Sequence, residues 1–321
     1  MILVITAPTD AHAEPVLTRL AARHVPVLRL DPSDFPTRTT LTFRSDARQR
    51  RLSLGIDASA PIDLDTITAG WFRRPGRPKP DDAVATSMAP DVIDQSQAFV
   101  ENIWASMNMS WLPASPAQLG IAGKLTQLQL AAEIGFEIPP TLVTNDPNEF
   151  VSFYREHNGN VVSKLIGRSS INSAQSAFAR FTEVVAPASI VEADAVRLCP
   201  VIFQANLPKR EELRVTVVGD EVFGAAIQSQ VTSRTKTDWR RYDQRHTPVL
   251  RAVLPDRVIG QCRALVSRLG LSFATIDLVV TPDDRVVFLE LNANGQYLWI
   301  ERATGLPISE AVAGWLERQL G

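Results

Sequence analysis

Phe273-Ala-Thr-Ile-Asp277-Leu-Val-Val-Thr-Pro-Asp-Asp-Arg-Val-Val-Phe-Leu-Glu290-Leu-Asn292 places three oxygen ligands in two strands whose other positions are mostly apolar. Glu290 and Asn292 are two residues apart, so their side chains leave the same face of a strand. With Pro282-Asp283-Asp284-Arg285 as a four-residue hairpin loop, Asp277 stands opposite Glu290 on the antiparallel neighbour, and all three side chains converge. Two carboxylates held together in an apolar sheet repel each other and lose hydration, a cost that a cation offsets. A hard divalent ion such as Mg²⁺ suits them, because it takes a few protein oxygens and completes its shell with phosphate and water. The alternative is a solvated hairpin whose acids align without any ligand.

A chain of 321 residues that is 45% hydrophobic can bury a large core and suggests two or three domains. Its net charge of −2 offers no electrostatic commitment to nucleic acid or to an anionic membrane. Cys199 and Cys262 lack metal-ligand or redox spacing, which fits a reducing compartment. Met1-Ile-Leu-Val-Ile-Thr6 has no basic flank and reads as a first strand rather than a targeting segment. No apolar run reaches membrane-spanning length. The expectation is a cytoplasmic protein.

The basic residues are mostly arginine, and the lysines are Lys79, Lys124, Lys164, Lys209 and Lys236. Lys164 interrupts the apolar run Val161-Val-Ser-Lys164-Leu-Ile, where an ammonium serves either as a point charge for phosphate or as a side chain snorkelling from a strand edge. The serine-rich loop that follows it, Gly167-Arg-Ser169-Ser170-Ile-Asn-Ser-Ala-Gln-Ser176, can cover a phosphate chain with backbone N–H groups.

Element order divides the chain in three. Residues 1–113 alternate strands and helices as a small open α/β domain, with a hairpin arm at Leu41–Arg44 and Leu52–Ile56. Residues 114–202 open with a helix over 117–134 and continue through strands to the serine-rich loop. Residues 203–321 contain the hairpin Leu213–Ile227 around Gly219-Asp220, the charged loop Thr237–Asp243, a helix over 256–269, the acidic hairpin and a final helix over 307–319.

In order, Lys124, Lys164, the strand-to-hinge segment Ile202-Phe203-Gln204, Arg214, Asp277 and Glu290-Leu-Asn292 resemble an ATP-grasp ligase. The resemblance implies an α/β (α+β) ATP-grasp fold with a pre-grasp domain, a central lid domain and a C-terminal antiparallel sheet. ATP then lies between the last two, with Lys124 and Lys164 on phosphates, Ser169 and Ser170 in the lid, adenine against Ile202-Phe203-Gln204, and Mg²⁺ on Asp277, Glu290 and Asn292. Trp71-Phe-Arg73-Arg74-Pro75, Leu213-Arg214-Val-Thr, Asp238-Trp239-Arg240 and Asn292-Ala-Asn-Gly-Gln296-Tyr-Leu-Trp299-Ile-Glu301 resemble the maturases of graspetides, the microviridin-type cyclic peptides. One departure is Ala205-Asn206, where many ATP-grasp enzymes have glutamate after the hinge; Lys209, Glu211 or Glu212 is then left to meet the ribose.

What this resemblance implies is phosphorylation of an Asp or Glu side chain in a ribosomal precursor peptide (leader plus core). A Thr or Ser hydroxyl or a Lys amine of the same peptide then attacks the acyl phosphate, and a homodimer is common in the family. Arg214 is expected to stabilise the oxyanion, and Arg73 and Arg74 to clamp the acceptor carboxylate or else form a surface pair. Asp238 serves either as general base or as the ion-pair partner of Arg240 or Arg241. Trp239, Tyr242, Tyr297 and Trp299 either pack or wall a peptide groove. An intermolecular amino-acid ligase and a non-catalytic nucleotide- and peptide-binding protein remain as alternatives, separable by mass gain and by ADP release.

Overall fold

The computed structural model describes residues 1–57, 59–120, 123–167, 182–241 and 246–320, and the backbone of 172–173 and 176–177. Ser169, Ser170, Tyr242 and Asp243 lie outside the described residues. Among the described residues no helix is long and apolar enough to cross a membrane.

The N-terminal sheet is parallel, in the order Val27–Leu30, Ile2–Thr6, Ala69–Arg74, Ser110–Leu112. Every residue of Ile2–Thr6 is buried because both faces are covered. Ile2 and Val4 join helix Ala13–Ala22 and the C-terminal helix Ile308–Arg318 in one core, while Leu3 and Ile5 join helix Ala89–Ser106 in another. The hairpin arm gains a third strand, Ile62–Asp63, beside Thr39–Ser45 and Arg50–Ile56.

The central sheet is antiparallel, in the order Glu183–Val184, Val161–Lys164, Val201–Ala205, Thr141–Thr144. Val201–Ala205 is paired on both sides within it, so this strand runs on past residue 202. Phe203 stacks on Phe150 of helix Pro147–Glu156, with centroids 4.3 Å apart, and closes the core on one face.

The C-terminal sheet has five antiparallel strands, in the order Val249–Arg251, Glu221–Ile227, Glu211–Val218, Phe273–Val280, Val286–Asn292. One face packs on helix Asp256–Arg268 and on helix Lys124–Ile134. The segment expected to be one helix over 117–134 contains Pro116–Leu119 and Lys124–Ile134, and the second of these belongs to the C-terminal core. A short helix not read from the sequence, Leu298–Thr304, follows the last strand. The other face of the sheet is apolar at Val218, Ala225 and Phe273, against the C-terminal helix, and becomes polar at Glu212, Arg214 and Asp277.

Candidate active site

Strand alternation puts Glu212 and Arg214 on the face that carries Asp277, and Arg214 pairs directly across from Asp277 in the ladder. The Arg214 Nη1 lies 2.7 and 2.8 Å from the two Asp277 carboxylate oxygens. Both residues are buried, at 5% and 6% exposure, so the pair is largely out of water. Burial pushes the Asp277 carboxyl up; Arg214 opposes that shift and the charge of Glu290 adds to it. The guanidinium sits 5.7 Å from the Trp239 ring centroid, and Trp239 in turn packs on Trp299 at 4.9 Å.

Glu290 is opposite Asp277 on the outer strand, with Asn292 on the same face. Lys124 Nζ is 3.5 Å and Arg240 Nη1 3.8 Å from its carboxylate, and Asn292 Nδ2 donates at 3.3 Å. Burial acts to raise the Glu290 carboxyl, but Lys124, Arg240 and Lys164 together hold it below the usual carboxylate range. Gln127 was not singled out in the sequence, yet it lies one helical turn from Lys124, 5% exposed. Its side-chain amide donates to the Leu291 carbonyl at 2.9 Å and accepts from the Leu291 N–H at 2.8 Å. The amide thus pairs the sheet edge as a strand would, between the two candidate ligands. A buried glutamine on an otherwise apolar helical face was the signal that could have found it.

Lys164, Ile202 and Gln204 share one face of the central sheet, and Phe203 on the other face is turned into the core. Lys164 Nζ donates to Gln204 Oε1 at 2.6 Å, and Gln204 Nε2 donates to Thr141 Oγ1 at 2.9 Å. Burial pulls the Lys164 ammonium down to about 8, with Glu290 resisting. Lys209 pairs with Glu212 at 3.2 Å and donates to the Thr237 carbonyl at 3.0 Å. Glu211 leaves the opposite face, bonded by Gln228 at 2.8 Å and 3.5 Å from Arg210, so it is not brought to the cluster.

Asp238 accepts the Thr182 backbone N–H at 2.9 Å and two hydrogen bonds from the Arg240 guanidinium at 2.9 and 2.6 Å. Burial acts to raise this carboxyl, but Arg240 and the backbone donors bring it to about 2, which makes it a weak base and a strong tether. Arg241 pairs with Glu183 at 2.6 Å, so the 238–241 segment staples the central sheet to the site. Arg73 is buried, with Nη1 donating to the Asn294 carbonyl at 2.7 Å and Nε 3.4 Å from Asp10, and Arg74 is exposed.

The family described as the MvdD pre-ATP grasp domain matches residues 1–117. Among solved structures, macrocyclase MdnB from Microcystis aeruginosa MRC is 31% identical, covers 98% of each chain and superposes with a TM-score of 0.79. The chain belongs to the RiPP-associated ATP-grasp ligases. An ATP-grasp ligase of Chryseobacterium gregarium, solved in complex with ADP and a leader and core peptide, superposes on this ligase with a TM-score of 0.91. It is 26% identical, over 99% of this chain and 96% of that one. Macrocyclase MdnC of Microcystis aeruginosa MRC, bound with the precursor peptide MdnA, gives 0.84 at 29% identity over 98% of both chains. No curated protein sequence matches the chain.

The ligase presents donors that fit a hard divalent ion, namely two carboxylates and an amide oxygen on one sheet face, with nitrogen cations now neutralising both acids. Among the described residues no group of three or more His, Cys, Asp or Glu side chains is placed to hold a metal ion. Mg²⁺ on so few protein oxygens would take the rest of its shell from phosphate and water.

Proposed function

We propose that this ligase uses ATP and Mg²⁺ to cross-link side chains within a ribosomal precursor peptide, forming lactones or lactams. The observation that carries the reading is the convergence of Lys124, Lys164, Arg214 and Arg240 around Asp277 and Glu290. Asp277, Glu290 and Asn292 would hold Mg²⁺, which would supply charge neutralisation for the phosphates. Lys124 and Lys164 bind phosphate oxygens, Ile202-Phe203-Gln204 offer their backbone to adenine, and Lys209 lies at the ribose side.

The chemistry follows from what a carboxylate lacks. Its negative charge repels nucleophiles and it has no leaving group. Transfer of the ATP γ-phosphoryl group to an Asp or Glu carboxylate of the core peptide gives an acyl phosphate and ADP. A Thr or Ser hydroxyl, or a Lys amine, of the same peptide then attacks the acyl carbon, phosphate departs, and a proton is lost. Arg214 meets the developing oxyanion, and Arg240, fixed by Asp238, adds positive charge beside Glu290. Because donor and acceptor are on one chain, orientation replaces strong base catalysis. Free cysteines, Cys199 exposed and Cys262 buried, suit a cytoplasmic location.

The test is incubation of the ligase with ATP, Mg²⁺ and the peptide encoded by a short neighbouring reading frame rich in Thr and Glu or Asp. Loss of one water mass per cross-link, with matching ADP release, is expected. A gain of mass from a free amino acid would place the enzyme among intermolecular ligases instead.

A further inference from the structure

Arg73 is the most completely buried cation of the N-terminal domain, and its position is not that of an ordinary strand residue. The Ile2–Thr6 and Ala69–Arg74 strands pair Ile5 with Phe72 and then Thr6 with Arg74, so Arg73 is an extra residue bulged out of a parallel ladder. Bulges re-aim side chains, and they are uncommon between parallel strands. This one sends a 2%-exposed guanidinium toward the C-terminal domain, where Nη1 donates to the Asn294 carbonyl at 2.7 Å and Nε lies 3.4 Å from Asp10. Asp10 is itself held by Thr6 Oγ1 at 3.0 Å and by the His12 N–H at 3.1 Å. Arg73 Nε and Nη2 have no hydrogen-bond partner of good geometry among the described residues. An apolar side chain would fill such a place at less cost, so stability alone does not explain an arginine here.

The Asn294 carbonyl lies in the turn that follows the candidate metal strand. Gly295 N donates to the Asn292 carbonyl at 3.1 Å, and a Cβ at Gly295 would come within 1.6 Å of Thr275 Oγ1, so the turn is pressed onto the neighbouring strand. Two residues beyond Asn294, the Gln296 carbonyl accepts from Arg214 Nη2 at 3.4 Å. The turn therefore has an arginine at each end, one from the N-terminal domain and one from the acyl-transfer centre.

We infer that Arg73 is a positioning residue, which holds the 293–296 turn so that the Gln296 carbonyl keeps Arg214 aligned with Asp277. The inference rests on the role of Arg214 given under the proposed function. It also assigns the N-terminal domain a part in setting the reaction geometry, through a backbone carbonyl rather than through contact with the peptide.

The test uses the full chain with Arg73→Met and Arg73→Lys, and three readouts. Thermal unfolding reports folding, Mg·ADP titration reports the nucleotide cleft, and the circular-dichroism exciton couplet of the Trp239–Trp299 pair reports the turn, since Trp299 follows it in the chain and Trp239 lies beside Arg214. Arg73→Met is expected to bind Mg·ADP as the wild type does, to weaken the couplet, and to lower kcat with the precursor peptide by about a hundredfold with the KM for ATP unchanged. Arg73→Lys, which keeps a donor for Asn294 but not the fork, is expected to recover part of both signals. Wild-type kcat and couplet in Arg73→Met overturn the inference, as does a loss confined to the KM for ATP. If Arg73→Met does not fold, Arg73→Lys alone decides on the same readouts. A wild-type enzyme that turns over no peptide would defeat the functional reading instead, while the couplet would still report on the turn.

Discussion

Glu290 stands opposite Asp277 because Leu289 is an extra residue in its strand. The hairpin turns through three residues, Pro282-Asp283-Asp284, with Asp284 in the left-handed region at φ 63° and Thr281 N–H bonded to the Arg285 carbonyl at 3.0 Å. That turn pairs Leu278 with Phe288, a register in which Asp277 would face Leu289 and Glu290 would point into the apolar core. The bulge at Leu289 restores the pairing of Asp277 with Glu290, so Glu290 and Asn292 face the site while Phe288 and Leu291 stay in the core. The four-residue loop expected from composition reaches the same pair by a different route, and the structure corrects it.

Removing either acid should silence the enzyme, with different side effects. Asp277→Ala and Glu290→Ala are each expected to lower ADP release with the precursor peptide at least about a hundredfold. Asp277→Ala also strands the buried Arg214, so a loss of about 3–5 kcal/mol is expected in urea unfolding. Glu290→Ala should cost less, because Lys124 and Arg240 keep 32% and 39% of their side-chain surface in water. Normal turnover in Glu290→Ala would remove the basis for metal assignment.

Lys164 should make nucleotide affinity depend on alkaline pH. Its charged form attracts phosphate, and burial sets its titration at about 8. The ADP dissociation constant is expected to rise as pH climbs through that value, and Lys164→Arg, which stays charged, should flatten the profile. For the unliganded fold the sign is opposite. Between about 8 and the ordinary lysine value of 10.5, the unfolded chain binds the extra proton, so this residue lets stability increase with pH there.

Gln127 should behave as part of the sheet. Gln127→Leu keeps the packing volume but leaves both backbone groups of Leu291 without the amide, and a loss of about 2–3 kcal/mol in denaturant unfolding is expected. Faster amide exchange at Leu291 than at Val287 in the variant would locate the damage; uniform exchange across the strand would refute the edge-pairing role.

Asp238 should matter to acid stability. Its folded value of about 2 lies below the ordinary 3.8, so its contribution is fully present above 3.8 and disappears as pH falls through about 2. The displacement corresponds to roughly 2 kcal/mol. Asp238→Asn is therefore expected to be less stable than wild type at neutral pH and equal to it near the bottom of that window, by urea unfolding at each pH. A pH-independent difference would assign the loss to packing rather than charge.

Much of the site was readable locally. The Glu290-Leu-Asn292 spacing puts two candidate ligands on one face by strand geometry alone, the order of Lys124, Lys164, Arg214 and Asp277 resembles that of the fold, and the unbroken apolar run Ile2–Ile5 marks a buried strand. Partner choice was not readable. Arg73 and Arg74 are neighbours in sequence, yet one is locked inside on Asp10 and Asn294 while the other faces solvent, because Arg73 is bulged out of the ladder and Arg74 is the residue paired in it. Glu211 and Glu212 divide between the two sheet faces, and only strand phase in the assembled sheet decides which enters the site. Periodicity acts between residues a few positions apart, so the chain carries it in plain view. Register, bulges and ion pairing depend on which distant segments arrive together, and that is determined only when the sheets and helices pack.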